Sequence, residues 1–178
     1  MEDGQGRFAA SVLPHLDAAY NLARWLVRDA HDAQDVVQDA LVRALRHFDG
    51  FRGGDPRPWL LAIVRNAAFA WLGSRCSGEV DFADHEHELD AVLAFDALPG
   101  DPESLAIRRA ERAEIDAAIA ALPIAFREAV VLRELEELSY RDIARITDVP
   151  IGTVMSRLSR ARHLLAAALR PEAARNLA

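Results

Sequence analysis

The chain has 178 residues, of which 28 are acidic and 21 basic, so its formal net charge is −7. This length suits one or two small domains. The sequence contains neither a run of eighteen apolar residues nor a secretory signal, so we expect no membrane insertion. A single cysteine, Cys76, excludes an intramolecular disulfide framework and favours a cytoplasmic location.

The charge is distributed unevenly along the chain. Residues 1–75 carry nine arginines and nine acids, residues 76–138 five arginines and sixteen acids, and residues 139–178 seven arginines and three acids. Because salt screens charges beyond roughly 8 Å at physiological ionic strength, a nucleic acid responds to the local field rather than to the total charge. The sequence therefore predicts that the C-terminal segment can meet DNA despite the acidic total.

The N-terminal third is predicted to be a bundle of helices. Apolar residues recur at helical spacing from Phe8 to Val27, and Pro14 is expected to end or kink the first segment. A second helix is predicted from Asp32 to Phe48. Its apolar face comprises Val36, Val37, Ala40, Leu41, Ala44, Leu45 and Phe48.

A loop and a very apolar helix follow. Residues 51–56 contain two glycines and a proline, which are typical of a loop. Asp55 is expected to cap the next helix. The first turn of that helix can contain Pro56 and Pro58. That helix is apolar nearly all round from Trp59 to Trp71, so it must be buried on several sides or covered by a partner.

An acidic linker is predicted over residues 76–103, which contain glycine and proline and have weak periodicity. Cys76, His85 and His87 fall in this segment, but their spacing matches no zinc-binding pattern, so we predict no metal and no cofactor. The sequence also lacks a phosphate-binding glycine motif and a nucleophile elbow, so we do not predict an enzyme.

The most informative pattern lies in the last third of the chain. One helix is predicted over Leu105–Leu122, closed by Pro123, and another over Ala125–Leu135. Residues 138–146 then form a short predicted helix, residues 147–150 a turn, and residues 151–162 a second helix. This layout is typical of a helix-turn-helix that places its second helix in a DNA major groove.

Local signals support this motif. Ser139 is expected to cap its first helix, and Asp148 to adopt a left-handed conformation in the turn. Val154, Leu158, Ala161 and Leu165 form the core stripe of the second helix, which leaves a polar face outside. Arginine can form hydrogen bonds to guanine, and hydroxyl groups suit phosphates and base edges. A helix N-terminus can also receive a phosphate. The candidate DNA-binding residues are therefore Arg141, Gly152, Thr153, Ser156, Arg157 and Arg160.

No segment predicts a strand. We therefore predict an all-α protein of two small helical domains, joined by the acidic linker. The N-terminal helical bundle spans residues 7–75, and the C-terminal helix-turn-helix domain spans residues 104–170.

A second candidate nucleic-acid site lies in the loop after the second helix. It offers an aromatic ring on which a base can stack, a glycine backbone that a base can approach closely, and arginine cations for phosphates. Together these groups suit an unstacked base. A glycine-rich turn with Phe51 anchored in the core is an equal alternative. The candidate residues here are Phe51, Arg52, Gly53, Gly54, Asp55 and Arg57.

Three segments, in this order, resemble bacterial RNA polymerase sigma factors. Residues 32–44 resemble the helix that binds core polymerase, residues 51–54 and 59–66 the promoter-melting segment, and residues 122–162 the C-terminal domain. The resemblance is to the small extracytoplasmic-function group, which keeps two domains and a linker. It implies an alternative sigma factor that binds core RNA polymerase and promoter DNA and is held inactive by an anti-sigma factor.

The resemblance also implies roles for individual residues. The polymerase-binding residues would be Asp35, Gln38, Asp39 and Arg43, although a solvated acidic face is the alternative from the residues alone. Residues 51–57 would hold a flipped base of the minus-ten element, with Asn66 lining the pocket. Thr153, Ser156, Arg157 and Arg160 would contact the minus-thirty-five element.

One departure from the family pattern keeps other functions open. Ala70, Gly73 and Ser74 stand where the family often has an acid and consecutive basic residues, which implies weaker duplex contact. This favours, as an alternative, a sigma mimic that sequesters an anti-sigma factor. An ordinary helix-turn-helix repressor is a further alternative, although it would leave the acidic second helix and the Phe51 loop without a purpose.

Overall fold

The structure is a computed structural model, and it describes residues 2–51, 53–76 and 102–169. Eight α-helices contain most of these residues, and no strand occurs among them. The helices are α1 (Glu2–Val12), α2 (Leu16–Val27), α3 (Ala30–His47), α4 (Pro56–Cys76), α5 (Pro102–Ala120), α6 (Ile124–Val130), α7 (Tyr140–Thr147) and α8 (Ile151–Ala168). We refer to α1–α4 as the N-terminal module and to α5–α8 as the C-terminal module.

The N-terminal helices begin and end where local chemistry requires. The predicted break at Pro14 is confirmed, because α1 ends at Val12 and a 3₁₀ turn over Leu13–His15 leads into α2. The carboxylate of Asp29 caps α3 by accepting hydrogen bonds from the amides of His31 and Asp32 at 2.8 and 2.9 Å. Asp55 likewise accepts from the Arg57 amide at 2.9 Å, which confirms its predicted cap on α4.

Helix α4 forms the centre of the N-terminal core. It packs against α2 and α3, and Leu60, Leu61 and Val64 are fully buried. Burial of each such side chain stabilises the fold by roughly 1.5–3 kcal/mol. The prediction that an all-round apolar helix must be buried on several sides is therefore confirmed.

One residue of the predicted apolar face on α3 was misplaced. Val36, Val37, Ala40 and Ala44 are buried, but the Leu45 side chain is 47% exposed. The buried stripe includes Ala33 at its start, and its small alanines permit close approach of the neighbouring helices. Leu45 lies at the edge of this stripe, where helix periodicity alone assigns a residue poorly.

The C-terminal module departs from the predicted pattern in one place. The helix predicted over Ala125–Leu135 is α-helical only to Val130, and Val131–Leu135 form a turn of π-helix. In this turn the Glu136 amide donates to the Val131 carbonyl at 3.0 Å, a bond that spans five residues rather than four. The wider turn shifts every later residue relative to an uninterrupted α-helix.

The helix-turn-helix forms as predicted. The Ser139 hydroxyl accepts from the Asp142 amide at 3.1 Å and donates to the Asp142 carboxylate at 2.5 Å. Asp148 is left-handed, with φ 52 and ψ 48, and its amide donates to the Ala144 carbonyl. Both local predictions are confirmed, and the core stripe of α8 is buried at Val154, Leu158 and Ala161.

The helices extend slightly into the segment predicted as linker. Helix α4 continues to Cys76 and α5 begins at Pro102, so residues 102–103 are helical rather than linker. The rest of that segment, residues 77–101, lies outside the described residues. No helix in the described ranges combines the length and the apolar character that a membrane crossing needs.

The two modules pack against one another. Helix α4 packs against α7, and α2 packs against α6 and the π-helical turn. The interface therefore involves the two N-terminal helices that form the centre of the N-terminal core, and it covers part of α4 that α2 and α3 leave open.

The turn of the helix-turn-helix offers a test of its backbone. A residue other than glycine in the left-handed region is strained, so we expect Asp148→Gly to raise the free energy of unfolding by about 0.5–1 kcal/mol. Arg145→Gly, in the last turn of α7, should lower the free energy of unfolding by about 1 kcal/mol, because glycine within a helix only increases the conformational entropy of the unfolded chain. Thermal unfolding measures both, and a lower melting temperature for Asp148→Gly would contradict the assignment.

Candidate nucleic-acid interface

The second helix of the motif presents a polar face at helical spacing. Ser156 and Arg160 are exposed, Thr153 is half-buried, and Gly152 is exposed in the first turn. The positions 153, 156, 157 and 160 are three or four residues apart and so lie on one side of α8. Arg141 on α7 is also exposed. The side chains of Arg141, Ser156 and Arg160 are therefore open to solvent.

Arg157 is the exception on this face. Its guanidinium lies 3.9 Å from the carboxylate of Glu128, and its side chain is only 24% exposed. Glu128 is itself 1% exposed and sits on α6. Arg157 is therefore directed toward an acid of its own module rather than freely into solvent.

The loop before α4 is anchored by aromatic rings. The ring of Phe51 stacks on Phe48 with centroids 6.0 Å apart and contacts Trp59 at 5.0 Å, while Phe8 meets Phe48 edge-on at 5.3 Å. The half-buried Phe51 thus packs within an aromatic cluster. This geometry favours the core-anchoring interpretation of Phe51 over a ring freely available to a base.

The glycines of this loop are required by the backbone. Gly53 and Gly54 have φ values of +88 and +99, and no atom lies within 4 Å of the position that a Cβ would occupy at either residue. Backbone conformation, rather than lack of space, therefore selects glycine. The loop keeps an exposed and approachable backbone, while Arg52 lies outside the described residues.

Two arginines near this loop bond to the C-terminal module. The Arg57 guanidinium donates to the Glu136 carboxylate at 2.5 Å, and that of Arg65 donates to the Glu128 carboxylate at 2.5 Å. The neighbouring Asn66 is exposed and accepts a long bond from Arg65 at 3.4 Å. Of the candidate minus-ten residues on α4, Arg57 thus faces the C-terminal module, whereas Asn66 is exposed to solvent.

The acids that receive these arginines are deeply buried. Glu136 is 4% exposed and also accepts from the Asn21 amide at 2.5 Å. Burial raises the pKa of Glu128, and its bond to Arg65 and the charge of Arg157 oppose that rise. Sequence patterns did not indicate either acid, because each meets its partner more than sixty residues away along the chain.

The contact between α2 and α6 also brings like charges of the two modules together. Arg24 and Arg127 are 7% and 6% exposed, and within the described ranges the Nε and Nη1 of Arg24 and the Nε of Arg127 have no hydrogen-bond acceptor. Burial and the nearby charge of Arg28 lower the pKa of Arg127 to about 10. Like charges therefore oppose one another at this part of the interface.

The candidate polymerase-binding residues lie around a groove between α3 and α4. Asp35, Asp39 and Arg43 line it with Val36, Ala67, Ala70 and Trp71, and its volume is 380 Å³. Arg43 and Asp39 form an ion pair at 2.7 Å with both side chains about half exposed. Gln38 is exposed on the same helix but does not line the groove.

No group of three or more metal-ligating side chains comes together within the ranges that the structure describes. His85 and His87, considered at the sequence level, lie outside those ranges.

Both modules of the chain match models of known protein families. Residues 12–75 match the family model for sigma-70 region 2, and residues 112–165 match that for sigma-70 region 4. The first match contains the α3–α4 groove and the glycine loop, and the second contains the helix-turn-helix.

Proteins of similar sequence align with most of this chain. The RNA polymerase sigma-H factor of Pseudomonas aeruginosa is 34% identical over 174 residues, which cover 92% of this chain and 86% of the relative. The ECF RNA polymerase sigma-E factor of Escherichia coli K12 is 39% identical over 139 residues, which cover 75% of this chain and 72% of the relative.

Solved structures share the fold. The sigma factor RpoE of Bartonella quintana, in complex with the anti-sigma factor NepR, has a TM-score of 0.69 and 27% identity, with 93% of this chain and 98% of that chain covered. CnrH, in complex with the cytosolic domain of CnrY, has a TM-score of 0.64 and 25% identity, covering 93% of this chain and 88% of that chain.

The glycine loop yields a paired prediction. Gly54→Ala should lower the free energy of unfolding by about 1–2 kcal/mol, because a Cβ strains the backbone at a φ of +99. Gly50→Ala is the matched control, since its φ lies outside that region and its Cβ position is also open. Equal melting temperatures for the two variants would show that the loop does not hold this conformation in solution.

Proposed function

Because the chain belongs to the extracytoplasmic-function group of the sigma-70 family, we propose that it binds core RNA polymerase and directs it to a small set of promoters. The observation that carries this proposal is that both family regions are present as folded modules, each with its own candidate binding surface. The chain would supply promoter specificity in the cytoplasm while the polymerase performs the chemistry.

Regulation by an anti-sigma factor forms part of the proposal. The sigma factor RpoE is in complex with the anti-sigma factor NepR, and CnrH is in complex with the cytosolic domain of CnrY; both structures resemble this chain over most of its length. We expect such a partner to hold this chain inactive by covering its polymerase- and promoter-binding surfaces.

The groove between α3 and α4 is the proposed contact with core polymerase. Asp35 and Asp39 offer carboxylates, Arg43 a guanidinium and Trp71 apolar area beside them. A mixture of charges around an apolar centre is typical of a specific protein interface, where the charges set orientation and the centre supplies most of the affinity. Exposed Gln38 would extend this contact along α3.

The loop before α4, together with Arg57 and Asn66, is the proposed site for the melted minus-ten strand. Opening duplex DNA costs about 1.4 kcal/mol per base-pair step on average, so captured bases must recover that cost. Gly53, Gly54 and Asp55 present exposed backbone and a helix start, and Asn66 offers an exposed amide that can bond a base edge. Phe51 contributes by fixing the loop through its ring contacts.

The polar face of α8 is the proposed contact with the minus-thirty-five duplex. Arg160 and Ser156 are exposed for base or phosphate contact, Thr153 and Gly152 lie at the helix start, and Arg157 can join them once it leaves Glu128. Arg141 on α7 suits a phosphate contact beside the groove.

Run-off transcription with purified core polymerase tests the proposal. Transcripts from a promoter that core alone ignores would support it, and the chain should bind core before it binds promoter DNA. Tight duplex binding without core would instead identify a repressor. Binding to an anti-sigma protein, with affinity for neither core nor DNA, would identify a sigma mimic.

A matched pair of variants tests the recognition helix. Arg160→Ala should reduce transcription that depends on the upstream element about tenfold or more, since one good base contact is worth about 1–3 kcal/mol. Arg162→Ala is the control, because Arg162 bonds Glu134 within the C-terminal module at 2.8 Å and points away from the polar face. Equal losses in both variants would refute the assignment of this face.

A further inference from the structure

We propose that the first half of α8 reads one A·T base pair of the minus-thirty-five element. The Met155 side chain lies against the methyl group of thymine, and the Ser156 hydroxyl accepts a hydrogen bond from the amino group of adenine. This inference rests on the proposed function. It assigns a role in base recognition to Met155, which the sequence analysis did not single out.

Met155 is a large apolar side chain that the fold leaves in solvent. It is 53% exposed, whereas its neighbour Val154, in the core stripe of α8, is 1% exposed. Met155 directly precedes Ser156 and lies one turn of helix before Ser159, and both of these serines are exposed. Met155 therefore borders the polar face that is proposed to meet DNA and does not contribute to the core.

A second apolar side chain extends this exposed area. Ile151, the first residue of α8, is 44% exposed and lies four residues before Met155. Residues at this spacing are neighbours on a helix surface, so the two side chains form a short apolar strip along the start of α8. Such a strip cannot bond a phosphate, whereas the methyl group of thymine gives a base edge in the major groove its apolar contact. The strip therefore suits a thymine.

The Ser156 hydroxyl is available only as an acceptor in this conformation. It donates its hydrogen to the Thr153 carbonyl at 2.9 Å, a local bond that serine can form within a helix. Its lone pairs then remain for an incoming donor. A phosphate supplies no such donor, whereas the amino groups of adenine and cytosine do. Ser156 therefore favours a base amino group over the phosphates of the backbone.

An A·T pair presents both of the required groups in the major groove. Its thymine edge carries a methyl group and its adenine edge carries an amino donor, whereas a G·C pair has no methyl group. Met155 and Ser156 are adjacent in the chain, so their side chains leave α8 about 100° apart around its axis. One apolar group and one acceptor, side by side, therefore complement the two edges of one A·T pair.

The exposed arginine of α8 gives this pair a position in the element. Arg160 is exposed and suits guanine, whereas Arg157 is directed toward Glu128. Met155 and Arg160 are five residues apart, which corresponds to about 7–8 Å along the helix axis at about 1.5 Å per residue. With α8 along the major groove, this distance spans roughly two base pairs of about 3.4 Å each. We therefore expect the A·T pair to lie about two base pairs from a G·C pair that Arg160 contacts.

The experiment uses the full-length chain bound to core polymerase and promoter duplexes with a randomised upstream element. The elements that this complex enriches should contain a fixed A·T pair about two base pairs from a G·C pair. Each thymine of the enriched element is then replaced in turn by deoxyuridine, which lacks only the methyl group. At the thymine of that pair, the replacement should weaken wild-type binding about fourfold, the contribution expected from one buried methyl group.

Met155→Ala tests whether this side chain contacts the methyl group. The variant should bind the thymine element no more tightly than wild type binds the deoxyuridine element, and it should not distinguish the two. Leu164→Ala is the matched control, because Leu164 is 45% exposed and lies nine residues after Met155, on the opposite side of α8. The control should keep the methyl preference of wild type. Both side chains are exposed, so circular dichroism should show that both variants are folded.

A second replacement tests Ser156 in the same way. Purine in place of the paired adenine removes the amino donor, which should weaken the binding of wild type more than that of Ser156→Ala. Equal losses in these two proteins would overturn the assignment of Ser156.

The remaining outcomes separate this inference from the proposed function. Wild-type binding that is indifferent to deoxyuridine at every position would overturn the methyl contact, as would a methyl preference that survives Met155→Ala. A loss in Met155→Ala that leaves the ratio between thymine and deoxyuridine elements unchanged would also overturn it, since the side chain would then act on the helix rather than on the base. Failure of the wild-type complex to enrich any upstream element would overturn the proposed function instead.

Discussion

Burial of helix α4 on three sides is the constraint on which the described structure depends. Most of its faces are apolar, so α2 and α3 cover one part of it and α7 covers another, while Asn66 and Ala70 stay exposed. Leu60, Leu61 and Val64 are fully buried, and their transfer from water supplies several kcal/mol. The same helix carries Arg57 and Asn66, so the element that organises the core also carries groups proposed for strand capture.

This coupling explains why the polar groups at the interface are paired so closely. A guanidinium taken out of water must find an oxyanion, because an unpaired buried charge is costly. Glu128 and Glu136 satisfy that requirement for Arg65 and Arg57 where the modules are in contact. The two ion pairs therefore offset part of the cost of burying these charges between the modules.

Local features of the fold were largely predictable from the sequence. Pro14, Asp55, Ser139 and Asp148 act on backbone groups within about four residues, so their effects could be derived without knowledge of the tertiary structure. Helical periodicity correctly placed the core stripe of α8. It misplaced Leu45, whose exposure depends on which neighbouring helices reach the edge of α3.

Contacts distant in sequence could not be predicted in the same way. Arg65 and Glu128 are 63 residues apart, and nothing in the spacing of either segment indicates the other. The ring contacts of Phe51 resolved an ambiguity between base stacking and core anchoring that composition left open. The binding roles of the exposed residues remain assignments by chemistry and family membership.

The π-helical turn over Val131–Leu135 sets how far the residues after it are rotated about the helix axis. It therefore helps to decide which of them face the N-terminal module. Each residue of an α-helix rotates the backbone by about 100°, so the one extra residue in this turn sets the angular position of everything that follows. Loss of a single residue here would rotate Glu136 away from Arg57, although neither of those two residues is changed. An insertion or deletion in this short stretch would therefore change which residues of the two modules can meet.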